Sequence, residues 1–310
     1  MYRIGIDLGG TNIAVGVVDT QHRIISRCSA STLAHRGAGE VIADICRTVE
    51  TSLHQAGLSL ADCDSIGIGT PGTCDSECGV VVRAYNLNWF DVPVCKLLED
   101  RFGIPVHLSN DANCAALAET LAGAAVGHRN VVLVTLGTGV GGGIIIDGKI
   151  YAGMRSAGAE LGHTLLMLDG EPCTCGRRGC WEAYASATAL CRQALDAAKK
   201  NPFSALAQLR SESITGKAVF DAAAAGDSAA CAVIDRYCQY IAAGLTDLVN
   251  ALAPELILLG GGICRQGDRI LVPIRAYVAS HCFGRRQGAM PMIAAAQLGN
   301  DAGIIGASAL

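Results

Sequence analysis

Charge is scarce in this chain, long apolar runs are absent, and basic residues have no excess. Charged residues make up 17% of the 310 and the net charge is −4. No basic footprint therefore points to nucleic acid. No run of about 18 apolar residues is present, so the sequence offers no membrane-spanning helix. The opening Met1-Tyr-Arg-Ile-Gly-Ile-Asp7 runs straight into a strand pattern and lacks the apolar region of a signal peptide. No low-complexity block or disordered linker interrupts the chain. Apolar residues, by contrast, make up 51%, and a chain of this length can bury a large core in two lobes. The 15 cysteines do not read as a disulfide framework. The count is odd, the chain is long and no export signal precedes it, which fits a reducing cytoplasm. Most cysteines sit among apolar neighbours, as in Leu190-Cys191 and Ala230-Cys231-Ala232, and read as small core residues. Cys74 and Cys78 offer two ligands at most and read the same way.

The pattern along the chain is that of an α/β protein. Residues 3–7 and 13–19 form a hairpin around the turn Leu8-Gly9-Gly10-Thr11-Asn12, and a third strand covers 24–31. Residues 40–56 have helical periodicity and stop at Gly57, a good terminating residue. A strand at 64–69 runs into Thr70-Pro71-Gly72. A short helix (94–102), a strand (105–108) and an alanine-rich helix (111–125) come next. The opening pattern then recurs: strand 130–136, turn Gly137-Thr138-Gly139-Val140-Gly141, strand 142–146. This weak internal repeat predicts two related lobes. One spans 1–112 and the other 113–299, with a small-residue helix at 300–310 returning to the first. Residues 183–200 and 218–252 read as long helices, and 255–259 as a buried strand ending in Gly260-Gly261-Gly262.

Between His163 and Glu182 lie one histidine and three cysteines: His163, Cys173, Cys175 and Cys180. Closed structural zinc sites use this Cys3His set in tetrahedral coordination. The glycines of Cys173-Thr-Cys175-Gly176-Arg-Arg-Gly179-Cys180 let a short knuckle turn sharply. A ligating histidine keeps its second ring nitrogen free for a neighbour or a substrate. The carboxylates Glu160 and Glu182 flank the ligands.

The two glycine turns expose backbone N–H groups that can cradle phosphates. Gly137-Thr-Gly139-Val-Gly-Gly142 satisfies the dinucleotide fingerprint, but a strand comes after it instead of the helix that fingerprint needs. Gly216-Lys217 is followed by alanine, so it is no P-loop. Asp7, beside the first turn, can be a turn former or can hold Mg2+ through water. Asn110-Asp111-Ala112-Asn113 can be a helix N-cap. It carries more polar groups than one cap needs, and an aspartate there can take a proton from a substrate hydroxyl.

These residues, in this order, resemble the ROK family of sugar kinases and repressors, over essentially the whole chain. The resemblance is carried by Asp7-Leu-Gly-Gly-Thr-Asn12, Gly67-Ile-Gly-Thr-Pro-Gly72, Asn110-Asp111-Ala-Asn113 and Leu136–Gly143. The most specific part is Glu160-Leu-Gly162-His163 together with the cysteine run to Glu182. Ala159 departs from the glycine that many members carry there. The resemblance implies a two-lobed actin-like ATPase fold (ribonuclease H-like) with a structural zinc knuckle. It implies an ATP-dependent hexose kinase acting on the 6-hydroxyl of glucose, with Mg2+ as cofactor, and a cytoplasmic homodimer.

The roles it implies are specific. Asp111 is the general base. Gly72, Asn86, Asn110, Glu160, His163 and Glu182 contact the sugar. Asp7, Gly10, Thr11, Asn12, Gly137, Thr138 and Gly261 serve the nucleotide and its metal. His163, Cys173, Cys175 and Cys180 hold zinc. Kinases of N-acetylmannosamine, N-acetylglucosamine, allose or fructose are same-chemistry alternatives. Asn86-Leu-Asn-Trp89 resembles the glucose branch more than the amino-sugar branch. A sugar-responsive repressor needs an N-terminal helix-turn-helix, for which a first strand near residue 3 leaves no room. A non-catalytic sugar sensor sits badly with an intact Asp111.

Overall fold

The computed structural model describes residues 1–283 and 290–310. A first sheet has five strands: β1 (Tyr2–Leu8), β2 (Asn12–Val18), β3 (Ile24–Ser31), β4 (Cys63–Thr70) and β8 (Val106–Asn110). Their order is β3-β2-β1-β4-β8. The first three form an antiparallel meander, and β4 and β8 add in parallel. A second sheet is built from β9 (Val131–Leu136), β10 (Val140–Ile146), β11 (Lys149–Ile150), β12 (Leu256–Gly260) and β13 (Met292–Ala295). Its order is β11-β10-β9-β12-β13. The matching order is the structural form of the repeat seen in the glycine turns. A third, antiparallel sheet of β5 (Thr73–Asp75), β6 (Val80–Ala84) and β7 (Trp89–Val92) lies in a stretch where the sequence shows no strand. Its strands are three to five residues long, too short for alternation to register.

The described residues form two compact units. One comprises Met1–Leu133, Gly143–Ala159 and Ala296–Leu310; the other comprises Val134–Gly142 and Glu160–Ala295. The sequence pattern suggests a division near residue 112. In the fold, α3 (Asp111–Ala122) falls in the first unit. In that unit the two faces of β1 have different fates, as a period of two requires. Ile4, Ile6 and Leu8 enter the core with Ile45 and Val49 of α1 (Ala38–Ala56) and Leu98 of α2 (Val94–Phe102). Gly5 and Asp7 face the terminal helix α9 (Ala302–Ser308). A Cβ on Gly5 would lie 1.9 Å from the Ile304 carbonyl oxygen, and one on Gly67 of β4 1.7 Å from that of Ala307. Backbone thus packs on backbone, which explains why the last helix is built of small residues. The buried carboxylate of Glu119 (1% exposed) holds the approach to α9. It accepts from the N–H groups of Ala124, Gln297 and Leu298, each at 2.8 Å.

Two stretches that read as continuous helices are each broken. The helix expected over 183–200 is divided between α4 (Glu182–Ala185) and α5 (Ala187–Lys200), because extended Ser186 stops one and caps the other by accepting from Ala189 N–H. The helix expected over 218–252 is divided between α6 (Gly216–Ala224) and α7 (Ser228–Leu252), with Gly226 at φ +90° and Asp227 as N-cap. Helix α8 (Asp268–His281), which contains Pro273, is not legible in the pattern. No described helix is long and apolar enough to cross a membrane.

Candidate functional site

In the first unit, the parallel strands end where polar residues gather. Asn110 closes β8 and caps α3: its Oδ1 accepts from Ala112 N–H at 2.9 Å, and its Nδ2 donates to the Gly72 carbonyl at 3.1 Å. The loop Thr70-Pro71-Gly72 is thereby tied to the helix start. Gly72 sits at φ +86°, and a Cβ there would meet the Arg83 carbonyl oxygen at 2.2 Å. Asp111, the first residue of α3, also accepts from Ala112 N–H, at 2.7 Å. Burial raises its carboxyl above the usual carboxylate range, and this hydrogen bond only partly opposes that. Asn113 is 2% exposed and turns into the core, not to the mouth.

Asp7 lies one residue before the end of β1, paired with Ala14 and Gly69. Burial, and secondarily the charge of Asp111, push its carboxyl from 3.8 to about 6, while Arg27 opposes the rise. A buried aspartate whose protonation is raised further by a second carboxylate is an arrangement a divalent cation relieves. Hard carboxylate oxygens suit Mg2+, which binds through one or two of them plus substrate phosphates. The turn after β1 is braced from behind by buried Thr32. Its hydroxyl donates to the Gly9 carbonyl at 2.7 Å, and its N–H to that of Thr11 at 3.0 Å. Thr11 and Asn12 are exposed. Gly10 backs onto Asn86, whose Cβ would lie 3.1 Å from a Cβ on the glycine. The stretch Asn86-Leu-Asn-Trp89 is anchored by buried Leu87 and Trp89, leaving Asn86 exposed.

The second unit holds the metal set. One ligand atom from each of His163, Cys173, Cys175 and Cys180 lies within 4.8 Å of all the others. Cys173 Sγ is 3.6 Å from His163 Nδ1, and Cys175 Sγ is 3.6 Å from Cys180 Sγ. Tetrahedral zinc with sulfur bonds of about 2.3 Å gives edges of about 3.7 Å, so the donors fit that ion. Nδ1 faces the cluster, which leaves His163 Nε2 available. The knuckle turns at Gly176 (φ +88°) and Gly179 (φ +78°). Trp181, 1% exposed, pins it to α7 by donating to the Tyr240 carbonyl at 2.8 Å. Glu160 is exposed beside the short turn Leu161–His163. Glu182 begins α4, and its carboxylate accepts from Val140 N–H at 2.9 Å and from the Thr174 hydroxyl at 3.2 Å.

The second glycine turn opens onto a cavity of about 660 Å³ lined by Leu136, Gly137, Thr138, Ala187, Gly216, Lys217, Asp221, Gly262, Ile263, Arg265 and Gln266. The family resemblance assigns Gly137, Thr138 and Gly261 to the nucleotide. Gly261 (φ +93°) backs onto the Leu136 carbonyl, and its neighbour Gly262 lines the cavity. Sequence reasoning missed Lys217, Asp221, Arg265 and Gln266. Gly216-Lys217 fails as a P-loop, and nothing local marks the rest. Lys217 and Asp221 form an i,i+4 ion pair at 2.5 Å.

Two sheets of like order, each with a glycine turn in its leading hairpin, define the class: an actin-like ATPase fold. The chain belongs to the ROK family, whose model matches residues 3–310. A ROK family glucokinase from Streptomyces griseus, solved with glucose and AMPPNP, superposes with a TM-score of 0.83 at 37% identity, covering 100% of this chain and 98% of that one. A ROK hexokinase from Thermus thermophilus gives 0.82 at 35% identity, covering 99% and 97%. A protein of Halalkalibacterium halodurans named glucokinase is 38% identical over 98% of this chain and 92% of its own length.

Proposed function

We propose that this protein is an ATP-dependent kinase that transfers the γ-phosphoryl group to the 6-hydroxyl of glucose. The observation that carries the reading is the near full-length similarity to glucokinases, one of them solved with glucose and an ATP analogue. It is joined to a desolvated aspartate at the mouth of β8 and α3. Phosphoryl transfer passes through a loose transition state, so the protein mainly positions reactants and stabilises spreading charge. Asp111 accepts the proton of the attacking hydroxyl late in the transfer. Burial raises its proton affinity above that of an ordinary carboxylate, which makes it a stronger base. Asn110 holds the same hydroxyl in line. Glu160, His163 through Nε2, and Glu182 take the hydroxyls at the far end of the sugar, with Gly72 and Asn86 completing the contacts. A sugar lacking one of these hydroxyls leaves unpaired an acceptor that the bound sugar covers, which is a strong basis for selection.

Gly10, Thr11, Asn12, Gly137 and Thr138 supply N–H and hydroxyl donors to the phosphates, and the cavity beyond Thr138 receives the nucleoside. Asp7 holds Mg2+, which when bound neutralises phosphate charge. His163, Cys173, Cys175 and Cys180 would hold a structural zinc. The reading includes a cytoplasmic setting and a homodimer. A coupled assay with ATP, Mg2+ and a panel of glucose, fructose, allose, N-acetylglucosamine and N-acetylmannosamine tests it. Glucose is expected to have the highest kcat/KM; no phosphorylation of any sugar would refute the kinase. Asp111→Asn is expected to lower kcat by at least about 100-fold with glucose affinity nearly kept. Full activity in that variant would remove Asp111 from the mechanism.

A further inference from the structure

The residues next to the metal ligands grip the second glycine turn from several sides. Glu182, two positions after Cys180, accepts from Val140 N–H at 2.9 Å through Oε2. Through Oε1 the same carboxylate takes the Thr174 hydroxyl at 3.2 Å and lies 3.7 Å from Cys173 Sγ. The carboxylate presses so closely on the turn that a Cβ on Gly139 would stand 2.2 Å from Oε2. On the other side, Gly162, adjacent to His163, packs against Val140; a Cβ there would lie 2.2 Å from the Val140 carbonyl oxygen. The chain leaving α4 completes the grip: Ala187 N–H donates to the Gly137 carbonyl at 2.8 Å, and the Thr188 hydroxyl to that of Thr138 at 2.9 Å. Trp181, between Cys180 and Glu182, is fixed in the core. No slack segment therefore separates the metal ligands from the turn.

We propose that Glu182 is a positioning residue that couples the metal-bound knuckle to the nucleotide turn, so that metal and nucleotide each strengthen the binding of the other. This rests on the reading of Gly137–Val140 as a phosphate-holding turn. The physical basis is preorganisation. An ordered knuckle holds the carboxylate, the carboxylate holds Val140 N–H, and the turn then presents its donors without an ordering loss on binding. Coupling of this kind is reciprocal by thermodynamic necessity. A role for Glu182 confined to sugar contact would leave nucleotide binding in the absence of sugar unchanged, and this separates the two roles.

The experiment is calorimetric titration of MgADP into sugar-free protein, with metal content and thermal melting recorded for each sample. Wild type loaded with zinc, wild type stripped by a chelator, Glu182→Ala and Glu182→Gln are compared. Glu182→Ala loses a charged acceptor and is expected to bind MgADP about tenfold more weakly. Glu182→Gln keeps one carbonyl oxygen and is expected to fall between. Stripping zinc is expected to weaken MgADP binding in wild type and to add little in Glu182→Ala. Conversely, MgADP should slow zinc release to a colorimetric chelator in wild type and not in Glu182→Ala. If Glu182→Ala does not fold, Glu182→Gln decides: wild-type affinity with full protection of zinc by MgADP overturns the coupling. Equal weakening by zinc removal in wild type and Glu182→Ala also overturns it, since the route would then bypass Glu182. Wild type that binds no MgADP at all refutes the nucleotide reading itself.

Discussion

Replacing Asp7 by asparagine should make the protein more stable and less active, and the stability gain should depend on pH. Asp7 titrates at about 6 instead of 3.8 because it is buried and lies near Asp111. A tenfold change in proton affinity is worth about 1.4 kcal/mol, so keeping this carboxylate ionised in the folded, ligand-free protein costs about 3 kcal/mol. The folded state holds the Asp7 proton more tightly than the unfolded chain does. Between about pH 4 and pH 6 it therefore binds more protons, and stability falls as pH rises through that window. Below it both states are protonated and the penalty vanishes; above it the penalty is complete. Asp7→Asn removes the group. At pH 7.5 the variant should melt roughly 5 °C above wild type, less whatever the new amide loses by lacking partners. At pH 4 only about a fifth of the penalty remains, so the gap should shrink to roughly 1 °C. Calorimetry or circular dichroism without nucleotide or Mg2+ measures both. MgATP-dependent activity should collapse in the same variant, because the repulsion that destabilises the empty site is what draws a cation there. A melting gap that is the same at both pH values, or a less stable variant at pH 7.5, would refute the reasoning.

Glu119→Ala strands three backbone N–H groups and should lose about 3 kcal/mol or more in urea unfolding; a loss under about 1 kcal/mol would show that water replaces the carboxylate. Gly67→Ala puts a Cβ 1.7 Å from the Ala307 carbonyl oxygen, so hydrogen exchange across Ala302–Ser308 should accelerate sharply. Native protection there would contradict the close packing. Ala159 sits at φ +62°, a conformation that disfavours alanine by about 1 kcal/mol. Ala159→Gly should therefore leave stability unchanged or raise it by about 0.5 kcal/mol after the extra chain entropy of glycine. A clear loss in chemical denaturation would mean the methyl group has a packing role.

Much of this protein is settled within short spans of chain. The four metal ligands lie within eighteen residues, so their spacing and two turning glycines suffice to bring them together. Asn110 caps α3 from the adjacent position, and the β1–β2 hairpin arises from alternation across one turn. The helix breaks at Ser186 and Gly226 have local signals, a capping serine and a glycine before aspartate, that lie hidden in alanine-rich periodicity. Strands β5 to β7 and helix α8 escape because the former are short and the latter contains a proline.

What only the tertiary structure decided depends on distant partners. Glu119 reads as one more polar helix residue until Gln297 and Leu298 meet it. The cavity beside the second glycine turn draws Lys217 and Arg265 from separate helical segments. Glu182 is legible as a carboxylate beside a cysteine knuckle, yet its bond to Val140 spans 42 residues. Local periodicity and spacing record which residues share a turn or a face. They carry no trace of which carbonyl or N–H, folded back from elsewhere, will satisfy a buried charge, and in this chain those distant pairings link the cysteine knuckle to the second glycine turn.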